Sequence, residues 1–253
     1  MLNRKTAVLA VALLVGCSTP GASASTSPEA TAEPTTTFAP TTEPTPTRTP
    51  RPTPEPTPAP AAREDLVVVE QGFTAIPESD TNWAQVGIVL ENPNADTHVA
   101  QFVNIQLTFY DANGALAGSS EELVTSILPG QRAALGRPVF DAGTATEMEV
   151  VVRADWTTID FAAGSFTFSE VTTSPASFGG WETRGFVESA FEDEQETVEV
   201  VAIYKDAAGN VVGGDSTYVD FVPAGGRSPF EISTFSQFNV PVTTTDMYAT
   251  PGF

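Results

Sequence analysis

The stretch Val103-Asn104-Ile105-Gln106-Leu107-Thr108-Phe109 alternates apolar and polar residues without a break. A period of two allows one structure, a β-strand with one face buried and the other wet. The strand runs into Tyr110-Asp111-Ala112-Asn113-Gly114, where Asn-Gly accepts positive φ and Asp bonds its own backbone, so a hairpin follows. A similar phrase returns at Val201–Gly214 (VAIYKDAAGNVVGG). Tyr110 and Tyr204 lie 94 positions apart, as do Pro129 and Pro223, while Trp83 and Trp181, like Gly87 and Gly185, lie 98 apart. A period this long is a whole domain rather than a solenoid unit. Tyr110 and Tyr204 are expected to match, with rings packed on the sandwich and hydroxyls reaching a backbone group.

Other segments fit the same pattern. LVVVEQGFTAI, WAQVGIVLE, MEVVVRADW, GSFTFSEV, TVEVVAIY and NVVGGDSTYVDFV read as strands, and no window of ten or more residues has a helical period. The fold expected is all-β: two tandem β-sandwiches at 64–154 and 155–253. VVRADWTTIDF leaves almost no linker between them, so a fixed angle is expected.

The front of the chain has a different composition. Arg4 and Lys5 precede an apolar run from Thr6 to Gly16, too short to span a bilayer and of the length of a signal-peptide core. Leu14-Val15-Gly16-Cys17 follows and resembles a bacterial lipobox. That resemblance implies a signal peptide at 1–16, cleavage before Cys17 and a diacylglyceryl group on its thiol. Cys17 is the only cysteine, so no intrachain disulfide can form. Two or more acyl chains hold durably to a bilayer, where one alone is marginal. The expected location is the extracytoplasmic face of the cell membrane, with the lipid bilayer as a partner through acylated Cys17.

Residues 17–63 hold twelve of the 21 prolines, with Pro50, Pro52, Pro54, Pro56, Pro58 and Pro60 at alternate positions. Proline fixes its own φ and restricts its predecessor, so the segment is expected to be a disordered, semi-rigid linker. At about 3.1 Å per residue in polyproline II it reaches on the order of 100 Å. A tether fits it better than a proline-rich ligand, and its Thr-Pro content permits O-glycosylation.

The folded part resembles the FxLYD domain, a small extracellular β-domain of bacterial and archaeal lipoproteins. Leu107-Thr108-Phe109-Tyr110-Asp111 stands where the name motif falls, with the hydrophobic residues exchanged at its first and third positions. Gly87-Ile88-Val89-Leu90-Glu91-Asn92 fits the early strand and Leu128-Pro129-Gly130-Gln131 the later turn. The match covers about 65–153 well and 160–250 more loosely, because Ile203-Tyr204-Lys205-Asp206 inserts a lysine. The resemblance implies an immunoglobulin-like sandwich with no catalytic role and no active-site residues to transfer.

Chemistry-bearing motifs are sparse. His98 is the single histidine and lies in a polar loop; Gly214-Asp215-Ser216 is a short lipase-like fragment inside an expected strand. The chain has no nucleophile elbow, phosphate loop, dinucleotide fingerprint or cysteine-based metal pattern. Phe191-Glu192-Asp193-Glu194-Gln195-Glu196 is rich in oxygen but lacks calcium-loop spacing, and reads as a solvated turn. No cofactor, metal or catalytic residue is expected. The formal charge of −21 becomes −23 when Arg4 and Lys5 leave with the signal peptide, which disfavours nucleic acid. The function expected is display of two sandwich modules for binding or structural roles in the envelope, with an unknown protein or glycan as partner. A carbohydrate- or cell-wall-binding adhesin is the alternative and a carboxylate-based hydrolase a third reading. Trp83, Trp156 and Trp181 are the candidate binding residues, although the matched positions of Trp83 and Trp181 fit a core role better.

Overall fold

The computed structural model describes residues 62–77, 82–95, 97–159, 164–177, 179–234 and 238–252. The expected signal peptide at 1–16, Cys17 and the Pro/Thr-rich segment lie outside the described residues, apart from Ala62 and Arg63. The first half contributes β1 (Val67–Ile76), β2 (Trp83–Glu91), β3 (His98–Tyr110), β4 (Leu116–Ile127), β5 (Arg132–Phe140) and β6 (Glu147–Thr158). The second contributes β7 (Phe166–Pro175), β8 (Trp181–Ser189), β9 (Gln195–Lys205), β10 (Val211–Val222), β11 (Arg227–Thr234) and β12 (Thr244–Thr250). All pairings are antiparallel. The sheets are β1-β2-β5 and β4-β3-β6 in the first half, β11-β8-β7 and β10-β9-β12 in the second. Adding six to each strand number of the first half reproduces the topology of the second. The fold is all-β, two β-sandwiches of immunoglobulin-like character in tandem.

The boundary expected between residues 154 and 155 falls inside β6, which runs on until Thr158 pairs with His98. Trp156 therefore belongs to the first sandwich. The two sandwiches also share a core, which the sequence reading did not anticipate. Val86, Ile88 and Leu90 of β2 pack against Ile105, Leu107 and Phe109 of β3 inside the first sandwich. Val198, Val200, Ala202 and Tyr204 of β9 pack with Val187, Phe230 and Ile232 inside the second. A third cluster joins Val89 and Ala134 of the first sandwich to Val201 and Ile203 of the second. Four sheets are thus stacked in the order β4-β3-β6, β1-β2-β5, β10-β9-β12, β11-β8-β7.

Close approach of the two middle sheets rests on glycine. A Cβ on Gly72 would lie 2.0 Å from the Val211 carbonyl oxygen, one on Gly87 2.7 Å from the Gly213 oxygen, and one on Gly136 2.5 Å from the Asp215 nitrogen. These are backbone atoms and cannot rotate aside. Two buried side chains bond across the gap: Thr74 Oγ1 donates to the Val212 carbonyl at 2.6 Å and Gln85 Nε2 to the Gly214 carbonyl at 2.5 Å. Lys205 Nζ closes one margin, 2.6 Å from both Glu70 and Asp246.

The hairpin repeat is seen directly, with a correction. Asp111 Oδ1 accepts the backbone N–H groups of Asn113 and Ala115; Asp206 Oδ1 accepts those of Ala208 and Asn210. Gly114 and Gly209 both have positive φ, 75° and 84°. The structural offset is therefore 95, so Tyr204 matches Phe109 and Lys205 matches Tyr110. Tyr204 is fully buried and its hydroxyl lies 3.3 Å from Thr183 Oγ1. Tyr110 points away from the core and donates to Glu149 at 3.2 Å. The lysine is a substitution in register, and neither hydroxyl bonds to backbone.

Asn92, fully buried, ties three segments together at the other end of the first sandwich. Its amide donates to the carbonyls of His98 and Ile127, and its Oδ1 accepts from the backbone and side chain of Asn94. Asn94 in turn exchanges two hydrogen bonds with the Glu64 backbone, docking the chain as it comes into β1.

Two substitutions test this account by chemical denaturation. Gly72→Ala, which would drive a methyl into a carbonyl, is expected to lose roughly 2–4 kcal/mol of stability, whereas Gly185→Ala, whose nearest contacts begin at 3.1 Å and include side-chain atoms, is expected to lose less. Asn92→Leu, which removes the amide donors to the His98 and Ile127 carbonyls and the acceptor for Asn94, is expected to cost about 2–4 kcal/mol; a loss under about 0.5 kcal/mol would show that water replaces the amide without penalty.

Candidate functional site

The three tryptophans do not form a common surface. Trp83 opens β2 on the face that carries Gln85, Gly87 and Val89, directed at the second sandwich; Trp181 opens β8 on the face that carries Thr183, Gly185 and Val187, directed into its own core. Their numerical match at 98 residues thus places them on opposite faces of equivalent strands. Trp156, late in β6, sits beside Ala100 near the start of β3, at the far end of the first sandwich from Trp83. All three are half-buried. The Arg63 guanidinium lies 4.8 Å from the Trp156 ring centroid and covers its face.

The remaining sequence candidates are also dispersed. His98 begins β3 opposite Thr158, whereas Asp215 and Ser216 lie on β10 opposite Ala202 and Val201. They are not brought together as a hydrolytic triad. Glu192, Asp193 and Glu194 are exposed between β8 and β9, and among the described residues no group of three or more acidic, His or Cys side chains is placed to hold a metal ion.

Two features went unnoticed in the sequence. One is a charged cluster at the margin between the sandwiches. Arg137 of β5 bonds Glu122 of β4 at 2.8 Å and reaches Glu199 of β9 at 3.5 Å. The Glu122 and Glu199 side chains are nearly buried, and Arg137 Nε is buried without a hydrogen-bond partner. Burial raises the Glu199 pKa, and Arg137 only partly offsets it. Burial also pushes Asp215 up to about 6, against hydrogen bonds from Ser216 and Thr234 and the attraction of Arg137. One guanidinium thus serves three carboxyl groups, an arrangement that favours protonation of one of them.

The other is a pair of equivalent residues in the left-handed conformation, the first of them at a bulge. β3 carries an extra residue against β6 between Gln101 and Asn104, where Phe102 has φ +46°. In the second sandwich Thr197 occupies the matching place with φ +54°. Each of the two residues borders a groove. The first, of about 660 Å³, is lined by Phe102, Asn104, Arg153, Asp155, Trp156 and the Arg63–Leu66 segment. The second, of about 310 Å³, is lined by Thr197, Glu199, Thr250 and Gly252, with Thr125 of the first sandwich and Tyr218 at its rim. Asn104 pairs with Arg153 as Glu199 pairs with Thr250, so the two grooves are copies of one feature. The second is partly closed by the neighbouring sandwich; the first is open.

No protein-family model matches the chain, and the search of curated proteins finds no match. The resemblance to FxLYD domains therefore rests on the residues that carry it.

Asp215 gives a pH test. Its folded pKa lies above its unfolded value, so its ionisation weakens the folded state at neutral pH, and the loss is relieved as pH falls through about 6. Asp215→Asn removes that dependence. Relative to wild type, the variant is expected to forfeit about 2 kcal/mol of any advantage between pH 7 and pH 4, measured by urea denaturation at each pH. Parallel stability curves would show that Asp215 titrates normally.

Proposed function

We propose that this chain is a lipid-anchored envelope protein that displays a fused pair of FxLYD-like sandwiches, carried on a proline-threonine spacer at the extracytoplasmic face of the membrane, and that it acts by binding or as a structural element rather than by catalysis. The observation that carries the reading is Cys17 at the end of a short apolar run, directly ahead of a segment that cannot build a core. The folded part suits display. Its third core, between Val89, Ala134, Val201 and Ile203, holds the two sandwiches as one body. The scattered positions of His98, Asp215 and Ser216 favour a non-catalytic role.

Metabolic labelling with a palmitate analogue and membrane fractionation test the anchor. The wild-type chain is expected to incorporate label and partition into detergent, and Cys17→Ser to do neither. A Cys17→Ser protein that is still labelled and still membrane-bound would rule the anchor out.

The adhesin reading has one specific observation in its favour: the groove at the Phe102 bulge is open and combines aromatic and polar side chains.

A further inference from the structure

We infer that the groove between Phe102 and Trp156 in the first sandwich binds the pyranose rings of a polysaccharide, with Phe102 as the stacking surface and Arg153 and Asn104 as hydrogen-bonding groups. The inference concerns this sandwich alone and stands independently of lipidation at Cys17.

The first observation is the price of Phe102. An L-residue in the left-handed region costs of the order of 1 kcal/mol or more. The left-handed backbone itself belongs to the fold, because Thr197 repeats it in the second sandwich. The side chain does not. Threonine fills the place where the groove is partly closed, and phenylalanine where it is open, with 60% of its surface exposed. A strained phenyl ring that gains little by packing is unexplained by stability.

The second observation is Arg153. Arg63, Arg132, Arg137, Arg184, Lys205 and Arg227 each have a carboxylate within ion-pair distance. Among the described residues, Arg153 is the one cation without such a partner, in a chain of net charge −21. It stands in register with Asn104, two residues from Phe102 along β3. The matching pair in the second sandwich is Glu199 and Thr250, and there Glu199 is already engaged by Arg137.

The chemistry of the groove narrows the ligand. Arg63 and Arg153 balance Asp65 and Asp155, so the site is locally neutral on an acidic protein. Neutrality disfavours a polycation or polyanion held by charge alone. An apolar ring beside planar donors and acceptors suits a molecule with an apolar face and a hydroxylated edge. Pyranose rings have both. Because Arg63 covers the indole of Trp156, the ring free to stack is Phe102, and Trp156 forms the wall beneath.

The test is co-sedimentation of the full chain with insoluble peptidoglycan, a neutral β-glucan and cross-linked polygalacturonate, for wild type, Phe102→Asn and Arg153→Gln. Asparagine tolerates the left-handed conformation, so Phe102→Asn is expected to melt no lower than wild type while losing at least tenfold in affinity. Arg153→Gln is expected to lose about fivefold or more, most strongly on polygalacturonate if the guanidinium takes a carboxylate and equally on all retained polymers if it takes hydroxyls. Three results would overturn the inference: no retention of the wild type by any of the polymers, retention unchanged in both variants, or a loss that accompanies a fall in melting temperature of the same variant.

Discussion

Backbone meets backbone at Gly72, Gly87 and Gly136, and the rest of the molecule is arranged around that contact. Sheets packed through side chains lie about 10 Å apart. Removal of the Cβ atoms lets the β1-β2-β5 sheet settle onto β10 closely enough for Thr74 and Gln85 to reach main-chain carbonyls of the other sandwich. Val89, Ala134, Val201 and Ile203 then exclude water beside them. The result is four layers in which the two inner sheets are covered on both faces. The near-continuous burial of β2 and β9 follows from this position, and neither strand shows the in-out alternation of β3.

The stacking is head to tail. The β1-β2-β5 sheet of the first sandwich meets β10-β9-β12, the counterpart of β4-β3-β6. A duplicated domain that packs this way leaves one free copy of each surface at its ends, and it could add further copies indefinitely. Equivalent strands differ along the two faces. The outward positions Gln106, Thr108 and Tyr110 of β3 correspond to Val201, Ile203 and Lys205 of β9. On the wet face β3 carries polar groups at these positions, beside the exposed Leu123 and Val151 of its neighbours, and where the face meets the other sandwich β9 carries valine and isoleucine, with Lys205 held by Glu70 and Asp246 at the margin. Burial disfavours the ammonium, but its two hydrogen-bonded carboxylates outweigh that and keep its pKa above the ordinary value.

The same duplication explains the grooves. A left-handed residue near the start of β3 and of β9 borders a cleft against the last strand of each sheet. In the second sandwich Thr125 borders the cleft and Arg137 reaches Glu199, so its carboxyl groups form part of the junction. Among the described residues, the lining of the first cleft comes from the first sandwich and the segment that enters it, and includes Phe102, Arg153 and Trp156. One copy of the feature lies at the junction and the other lies away from it.

The sequence by itself determined the elements and their repetition. Alternation in Val103–Phe109, turn chemistry at Asp111–Gly114 and its echo at Asp206–Asn210 specify strands and hairpins, because backbone period and positive φ are local properties. The apolar run before Cys17 and the prolines after it are equally local. The tertiary structure alone decided which faces meet. Counting residues aligned Tyr110 with Tyr204 and Trp83 with Trp181, but a shift of one residue moves a side chain across the sheet, and only pairing reveals that Phe109 is the partner of Tyr204. Gly72, Gly87 and Gly136 could not be read as an interface, since a glycine's lack of a side chain has meaning only against what lies opposite. The open groove was hidden for the same reason: Phe102, Arg153 and Trp156 are separated by up to 54 positions in sequence and are brought together by the β3–β6 ladder.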